Sequence, residues 1–350
     1  MLNGSSRGAD RTHRAMRVFL TGGTGLLGSH LAEHLVSRGH EVRALVRPSS
    51  DASFLEEIGS ELVEGDVTDP VDRLAGLIVG CTHLVHGAAL VYAGGSWESV
   101  AAVNVAGTTG VLSAGARSGV KKAVHISSVA VYGSREGGSD EAAPLNHALA
   151  DGDHYARSKR EAEGEARRVE RETGLAVSVV RPSAVYGERD RLMAPAVAGI
   201  LRLPLVPLFG PGDNTLPVVY AGNVAVAIRQ VMESPTGGDT YDLGMDHPLT
   251  QRALFEAQAR GMGLHPRFVR LPGALVGGGA RILARLGVGT PGAQHLSLER
   301  VARLALGENP YVSRRAHDDL GWDPPHSHRD ALERTGRWIS GRPDLLLENT

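Results

Sequence analysis

Residues Arg17-Val-Phe-Leu-Thr21-Gly-Gly-Thr-Gly-Leu-Leu-Gly28-Ser-His-Leu-Ala-Glu-His-Leu-Val-Ser-Arg38 read as a strand, a glycine loop and an amphipathic helix. Leu27, Leu31 and Leu35 fall on one helical face, and Gly39 closes the helix. The chain has 45 glycines in 350 residues, so three glycines at this spacing are expected about 0.7 times by chance. The pattern alone therefore carries little weight, and its context carries the reading. Glycines between a strand end and a helix start let a pyrophosphate approach the backbone, where the first helical N–H groups and the helix dipole favour an anion. The backbone of Gly22, Thr24, Gly25, Leu26, Leu27 and Gly28 is the expected phosphate cradle.

Working outward, short β-branched runs alternate with longer helical patterns. Strands are expected at Glu41–Val46, Glu61–Glu64, His83–His86, Ala123–Ser127 and Ala176–Val180, with helices at Trp97–Arg117 and Tyr155–Thr173. That alternation predicts an α/β fold, a doubly wound parallel sheet of the Rossmann type, over residues 16–187. Beyond Pro182, prolines 195, 204, 207, 211 and 217 suggest a loop-rich stretch. Helices are then expected at Asn223–Glu233, Thr250–Gly261, Gly273–Leu286 and from Arg329, with a short strand at Tyr311-Val312. We read residues 188–345 as a smaller, mainly substrate-binding region, with a segment near 218–245 returning to the first domain. Residues 1–15 are polar and basic without an apolar core, so they read as a disordered leader and not a secretory signal.

Composition narrows the function. A net charge of -2 offers no basic field for nucleic acid or an anionic membrane. A single cysteine, Cys81, excludes a disulfide framework and suits a reducing, cytoplasmic setting. The most apolar stretch, Ala274–Val288, is interrupted by Arg281 and Arg285, so no membrane span is expected. His30-Leu-Ala-Glu-His34 matches an inverted zinc-protease pattern, but its place on the helix after the glycine loop makes a solvated face the better reading. His326-Ser-His328 is expected at the surface, and no metal is predicted.

The end of the second strand bears on the cofactor. A site for NAD usually places an acid there for the ribose 2′-hydroxyl. Here Leu45-Val46-Arg47-Pro48-Ser49-Ser50 offers Arg47, which suits a 2′-phosphate and favours NADP(H) over NAD(H); a solvated arginine is the competing reading. Asp66 and Val67, after the third strand, are placed to border the adenine.

Tyr155-Ala-Arg-Ser-Lys159 is the most specific signal. With seven tyrosines and three lysines, Tyr-x-x-x-Lys is expected about 0.06 times by chance. On a helix the two side chains share a face, and an adjacent ammonium favours the phenolate needed for acid–base work near neutral pH. Ser127-Ser128, at the exit of a central strand, can supply a hydroxyl to a substrate oxygen.

Taken in order, Thr21-Gly-x-x-Gly-x-x-Gly28, His86-Gly-Ala-Ala89, Asn104-Val-Ala-Gly-Thr108, Ser127-Ser-x-x-Val-Tyr-Gly133, Tyr155-x-x-x-Lys159 and Arg181-Pro-Ser-x-Val-Tyr-Gly187 resemble the extended short-chain dehydrogenase/reductases, the NAD(P)-dependent epimerase/dehydratase superfamily. The resemblance covers about residues 17–339. It implies that Ser128 orients the substrate, Tyr155 is the acid/base, and Lys159 binds the ribose and activates Tyr155. It places Pro182 and Ser183 beside the nicotinamide, adds Ala88 and Asn104 to the cofactor site, and makes Asn104 more structural than chemical. It also implies a possible homodimer through the helices at 97–117 and 155–173.

Departures from the family pattern choose among its branches. Val129-Ala130 stands where the 4,6-dehydratases carry Asp-Glu, and Leu216 stands where sugar-nucleotide epimerases commonly carry an arginine for the diphosphate. Arg189, Arg191 or Arg202 are the candidates to replace it. Tyr220-x-x-Asn223-Val224 and the Arg47 strand look more like the 3β-hydroxysteroid dehydrogenase and dihydroflavonol reductase branch, with Leu203–Phe209 as an apolar substrate wall or as ordinary core. The expectation is an NADP(H)-dependent oxidoreductase interconverting a secondary alcohol and a ketone on a small, hydrophobic molecule. The alternatives are an NAD-dependent sugar-nucleotide epimerase and a cofactor-binding sensor without turnover.

Overall fold

The structure is a computed structural model that describes residues 15–91, 96–133, 140–272 and 309–347. The expected leader, the helix at 273–286 and the apolar stretch at 274–288 lie outside the described residues, apart from Ala15.

Seven parallel strands form the main sheet. They are β1 (Arg17–Thr21), β2 (Glu41–Val46), β3 (Glu61–Glu64), β4 (His83–His86), β5 (Lys122–Ile126), β6 (Ala176–Pro182) and β10 (Thr240–Leu243), in the spatial order β10-β6-β5-β4-β1-β2-β3. The order reverses between β1 and β4, and this switch point is where a doubly wound sheet opens a crevice at its carboxyl edge. Thr21 lies level with Leu45 on one side and His86 on the other, so the glycine loop leaves the sheet beside both neighbouring strand ends. β10 extends the sheet beside β6, with Asp242 opposite Arg181 and Leu243 opposite Pro182.

Helices cover both faces, and apolar side chains on alternate strand positions feed two cores. α1 (Leu26–Ser37) and α8 (Ala221–Glu233) close one face over Val18, Leu20, Val85, Val124 and Ile126. On the other face, α3 (Val71–Ile78), α5 (Gly107–Arg117) and α6 (His154–Thr173) pack over Phe19, Leu84, Ala123 and Val177. α5 continues α4 (Trp97–Ala101) through a π turn at Ala102–Ala106. By length and composition this continuous helix, Trp97–Arg117, is apolar enough to cross a membrane; here 44% of its most apolar window is buried inside the protein.

A third core joins α7 (Met193–Leu201), β8 (Val206–Phe209), β9 (Val218–Tyr220), α9 (Gln251–Gly261) and α11 (His328–Ser340). The proline-based expectation of a loop fails at α7. Pro195 is its third residue, a position where no intrahelical N–H bond is lost. Buried Asp190 instead receives N–H bonds from Leu192, Met193 and Ala194 at 2.7, 3.1 and 2.9 Å. The stretch Leu203–Phe209 also divides: Val206 and Leu208 belong to this core, whereas Leu203 and Leu205 are exposed.

Buried imidazoles are a recurring feature. Burial pushes His30, His34 and His83 down to about 4, helped by Arg189, Arg229 and Lys122 respectively. It pushes His86 down to about 3 and His125 well below the ordinary value, with the Lys159 charge adding to both. The expectation of a solvated His30/His34 face is therefore corrected: α8 covers α1, His30 is buried, and Arg229 Nε donates to His34 Nε2 at 3.0 Å. Burial raises Asp190 to about 6 and Asp242 to about 7.

These shifts set the acid response. In the unfolded chain the five imidazoles bind protons below about pH 6.5, whereas in the fold they do so only at distinctly lower pH. The unfolded state then holds more protons, so stability falls as pH falls. Asp190 and Asp242 act in the opposite sense because the fold takes their protons first. Five imidazoles act in one sense and these two carboxyls in the other, so unfolding takes up protons overall near pH 5.5. Urea midpoints should drop steadily between pH 6.5 and 4.5, and a flat profile would mean that these imidazoles titrate normally. Asp190→Ala should lower the unfolding free energy by about 2 kcal/mol through loss of the α7 cap; an unchanged urea midpoint would remove that role.

Candidate active site

The phosphate cradle is built from close contacts that only glycine allows. Gly22 has φ +77°, and a Cβ there would stand 2.7 Å from the Ala88 nitrogen. A Cβ on Gly28 would overlap the Gly22 carbonyl oxygen. Gly25 N–H donates to Gly22 O at 3.0 Å, which closes the turn. Gly25 then caps α1 with no side chain bonding its first N–H groups, so those donors face whatever enters the loop. The dinucleotide pyrophosphate fits this cradle in shape and charge.

A directed chain of hydrogen bonds fixes the loop to the helices behind it. The Gly87 and Ala88 N–H groups donate to Thr21 Oγ1, each at 3.2 Å. Thr108 donates its only hydroxyl proton to Asn104 O at 2.7 Å. His86 Nε2 must therefore donate to Thr108 Oγ1 (3.0 Å), which leaves His86 Nδ1 to accept from Thr21 Oγ1 (2.8 Å). One neutral tautomer satisfies every bond, consistent with the low pKa of His86.

Asn104 sits in the π turn and is fully buried. Its Oδ1 accepts from Leu90 N at 2.8 Å, and its Nδ2 donates to Leu90 O at 3.1 Å and Ser158 Oγ at 2.9 Å. Ser158 passes its proton to Tyr155 O at 2.8 Å. Asn104 was expected among the cofactor contacts; with both amide protons committed, it acts as a clamp between the loop after β4 and the start of α6.

The three candidate catalytic residues come from the exit of β5 and the first turns of α6. Ser128 lies two residues past the end of β5 in extended backbone (φ -163°, ψ 151°), is half-buried, and accepts from Ala130 N at 3.2 Å. Asp153 caps α6 by accepting from Ala156 N at 3.0 Å, which starts the helix just ahead of half-buried Tyr155. One turn on, buried Lys159 donates from Nζ to Ile126 O at 2.7 Å. Its ammonium lies 5.9 Å from the Tyr155 ring centroid. Burial pushes Lys159 down to about 8, with Glu163 opposing. α6 is also tied to β6 by Glu163, which takes a paired contact from Arg181 at 2.9 and 2.7 Å.

Pro182 ends β6 at the same edge, and Ser183 N donates to Leu243 O at 3.1 Å. The Val67 side chain is buried against Gly107, so only its backbone remains for an adenine. Asp66 is half-buried. Burial pushes its carboxyl up, but bonds from Thr68 and the charge of Arg47 outweigh this and hold it below the usual range. Arg47 is exposed at the end of β2, on the rim of a cavity of about 330 Å³ shared with Gly65, Asp66 and Arg73. Sequence reasoning missed Arg73, and the only local signal was a basic residue in the first turn of a helix.

Two of the three candidate diphosphate arginines, Arg189 and Arg202, are engaged by other residues of the fold. Leu216 is buried in the C-terminal core. Arg189 donates to Ser29 Oγ at 2.9 Å and Glu33 at 2.6 Å and lies 4.0 Å from the centre of the Phe54 ring, while Arg202 donates to Ala198 O at 3.1 Å. Tyr220 and Asn223 are structural, bonding Glu188 and Asp246. His328, expected at the surface, is buried, with Nδ1 2.7 Å from Tyr186 Oη and Nε2 3.1 Å from Asp246. Among the described residues, no group of three His, Cys, Asp or Glu is placed to hold a metal ion.

Comparisons with known proteins agree with this architecture. The family model for the NAD dependent epimerase/dehydratase family matches residues 18–244. The chain is 28% identical over 344 residues to a 3β-hydroxysteroid dehydrogenase/Δ5→4-isomerase of Mycobacterium tuberculosis, covering 93% of this chain and 90% of that one. It is 28% identical over 331 residues to a 4-hydroxy-2-methyl-3-oxo-4-farnesyl-3,4-dihydroquinoline-1-oxide ketoreductase of Stigmatella aurantiaca, with 92% and 97% coverage. The solved dTDP-glucose 4,6-dehydratase DesIV of Streptomyces venezuelae, with NAD and TYD bound, superposes with a TM-score of 0.71 at 26% identity, covering 94% and 98% of the two chains. The chain is thus an extended short-chain dehydrogenase/reductase, a member of the NAD-dependent epimerase/dehydratase family.

Proposed function

We propose that this enzyme is an NADP(H)-dependent oxidoreductase that interconverts a secondary alcohol and a ketone on a small, hydrophobic substrate. The observation that carries the reading is the tether from Lys159 Nζ to Ile126 O, two residues before Ser128. It fixes the helix bearing Tyr155 against the strand end bearing Ser128, so one substrate oxygen can meet both hydroxyls.

When bound along the glycine loop, the nicotinamide cofactor supplies or accepts the hydride. In the reducing direction the Ser128 hydroxyl donates to the carbonyl oxygen, and Tyr155 gives its phenolic proton to that oxygen as the carbonyl carbon is reduced. In the oxidising direction Tyr155 takes the alcohol proton back. The Lys159 ammonium lowers the cost of the Tyr155 phenolate and holds the ribose. Its own pKa of about 8 keeps it largely protonated at neutral pH.

The substrate class rests on what surrounds this set. Val129 and Ala130 after Ser128 supply no acid for a dehydration, and none of the candidate arginines described above except Arg191 is free of a close partner. The steroid dehydrogenase and farnesyl-quinoline ketoreductase likenesses support a hydrophobic ring substrate. Arg47 beside a cavity at the β2 and β3 ends supports NADP(H). We place the enzyme in a cytoplasmic setting, acting on a small molecule without nucleic acid or membrane, and as a homodimer.

The test is oxidation of NADPH against NADH with a panel of cyclic hydrophobic ketones. NADPH should be preferred, and Tyr155→Phe should lower kcat by about 10³ while leaving the cofactor Kd within about twofold. Retained turnover in Tyr155→Phe would overturn the acid–base assignment. Tightly held NAD+ released on denaturation would support the sugar-nucleotide epimerase instead, since such an enzyme regenerates its cofactor in every cycle.

A further inference from the structure

The cavity between the ends of β2 and β3 has arginines on two of its walls. Arg47 comes from the end of β2 and Arg73 from the first turn of α3; Ser49, Glu64, Asp66 and Asp69 complete the polar lining. An arginine as the third residue of a helix opposes the local field, because the unpaired N–H groups of the first turn already make that end positive. Helix stability therefore does not explain Arg73.

Its surroundings hold it in one orientation. Arg73 Nε donates to Asp69 Oδ2 at 3.0 Å, and one Nη2 proton points to Glu64 O at 3.4 Å. Asp69 Oδ2 is itself fixed by Asp66 N at 2.9 Å. The Asp69 carboxylate thus positions the guanidinium while its remaining donors stay available. Arg47 makes no side-chain hydrogen bond among the described residues, so its whole fork is free. The Asp66 carboxylate is engaged by Thr68, accepting from its N–H and hydroxyl at 2.9 and 2.7 Å.

We propose that Arg73 is a second specificity-determining residue, which with Arg47 forms a two-guanidinium clamp for a phosphomonoester on the cofactor's adenosine ribose. This rests on the NADP(H) reading above. A phosphomonoester carries a charge of about -1.5 to -2 at neutral pH and three acceptor oxygens. One guanidinium neutralises about half of that charge, and two forks match both charge and acceptor count. Glu64, Asp66 and Asp69 in the same lining disfavour an uncompensated anion; Asp69 is paired with Arg73 and Asp66 with Thr68, and two cations are needed where one would serve in a neutral pocket.

Direct binding, without turnover, tests the clamp. Calorimetric titration of the full chain should show 2′,5′-ADP binding at least about tenfold tighter than 5′-AMP. Arg73→Ala should erase about tenfold of that preference while 5′-AMP affinity stays unchanged, and the preference should shrink with added salt. Equal loss for both ligands would show a merely structural role and overturn the proposal. An unchanged preference in Arg73→Ala, with Arg47→Ala still abolishing it, would overturn the clamp and leave Arg47 acting alone. A wild-type protein that binds both nucleotides equally would overturn the clamp and the NADP(H) reading together.

Discussion

The site depends on one directed chain of buried hydrogen bonds. It runs from the Gly87 and Ala88 amides through Thr21, His86 and Thr108 to Asn104, and from the Asn104 amide through Ser158 to the carbonyl of Tyr155. Each hydroxyl has one proton and each proton one destination, so the network has a single satisfied state. Reversing any member leaves a buried donor or acceptor unpaired at a cost of about 1–3 kcal/mol. The glycine loop and the helix bearing Tyr155 are thereby held in one register, although they are more than 120 residues apart in sequence.

The same constraint explains why the interior is rich in imidazoles that stay neutral. The His86 and His125 rings stack at 5.6 Å on the face of the sheet that carries α6, and both feel the Lys159 charge. A protonated imidazole there would repel the ammonium and would need an acceptor where the chain supplies a donor. Burial keeps the rings uncharged, so neither adds a positive charge beside the Lys159 ammonium, which lies 5.9 Å from the Tyr155 ring centroid. The same low-dielectric interior lowers the pKa of Lys159 itself.

Much of this was legible in the sequence because it is local. A strand, a glycine turn and a helix occupy twenty-one consecutive residues, and Tyr155 and Lys159 share one helical turn, so spacing alone places their backbones. Ser128 could be placed because it follows a short strand-like run within the alternating pattern of strands and helices. The errors were of another kind. The face of α1 carrying His30 and His34 has a solvated pattern, but its cover, α8, begins nearly two hundred residues later, and Arg229 meets His34 only through the tertiary fold. Pro195 reads as a breaker unless Asp190 is seen taking three helix-start N–H bonds. His328 follows a proline-rich turn and opens α11, yet Tyr186 and Asp246 enclose it. The histidine errors concern polar residues whose partners are remote in sequence, whereas the Asp190 cap is local and its signal is an acid just ahead of a helix start.

The segment after β7 (Ala184–Tyr186) shows how the C-terminal region is tied to this frame. Arg189 holds φ +70°, a left-handed conformation that disfavours a residue with a Cβ by roughly 1–2 kcal/mol. It persists because its guanidinium bonds Ser29 and Glu33 on α1 and covers Phe54. Neighbouring Glu188 accepts from Tyr220 and Arg334, each at 2.9 Å, and its carbonyl meets His30 Nε2 at 2.9 Å. The strap thus fastens residues of the C-terminal core to the cofactor helix, and not to α6. Ser128, Tyr155 and Lys159 are braced through Ile126 and Asn104, in bonds that the strap does not share. A fold wired this way can alter the strap while the hydroxyls of Ser128 and Tyr155 keep their places, which suits a superfamily whose members share a fold and differ in what they bind.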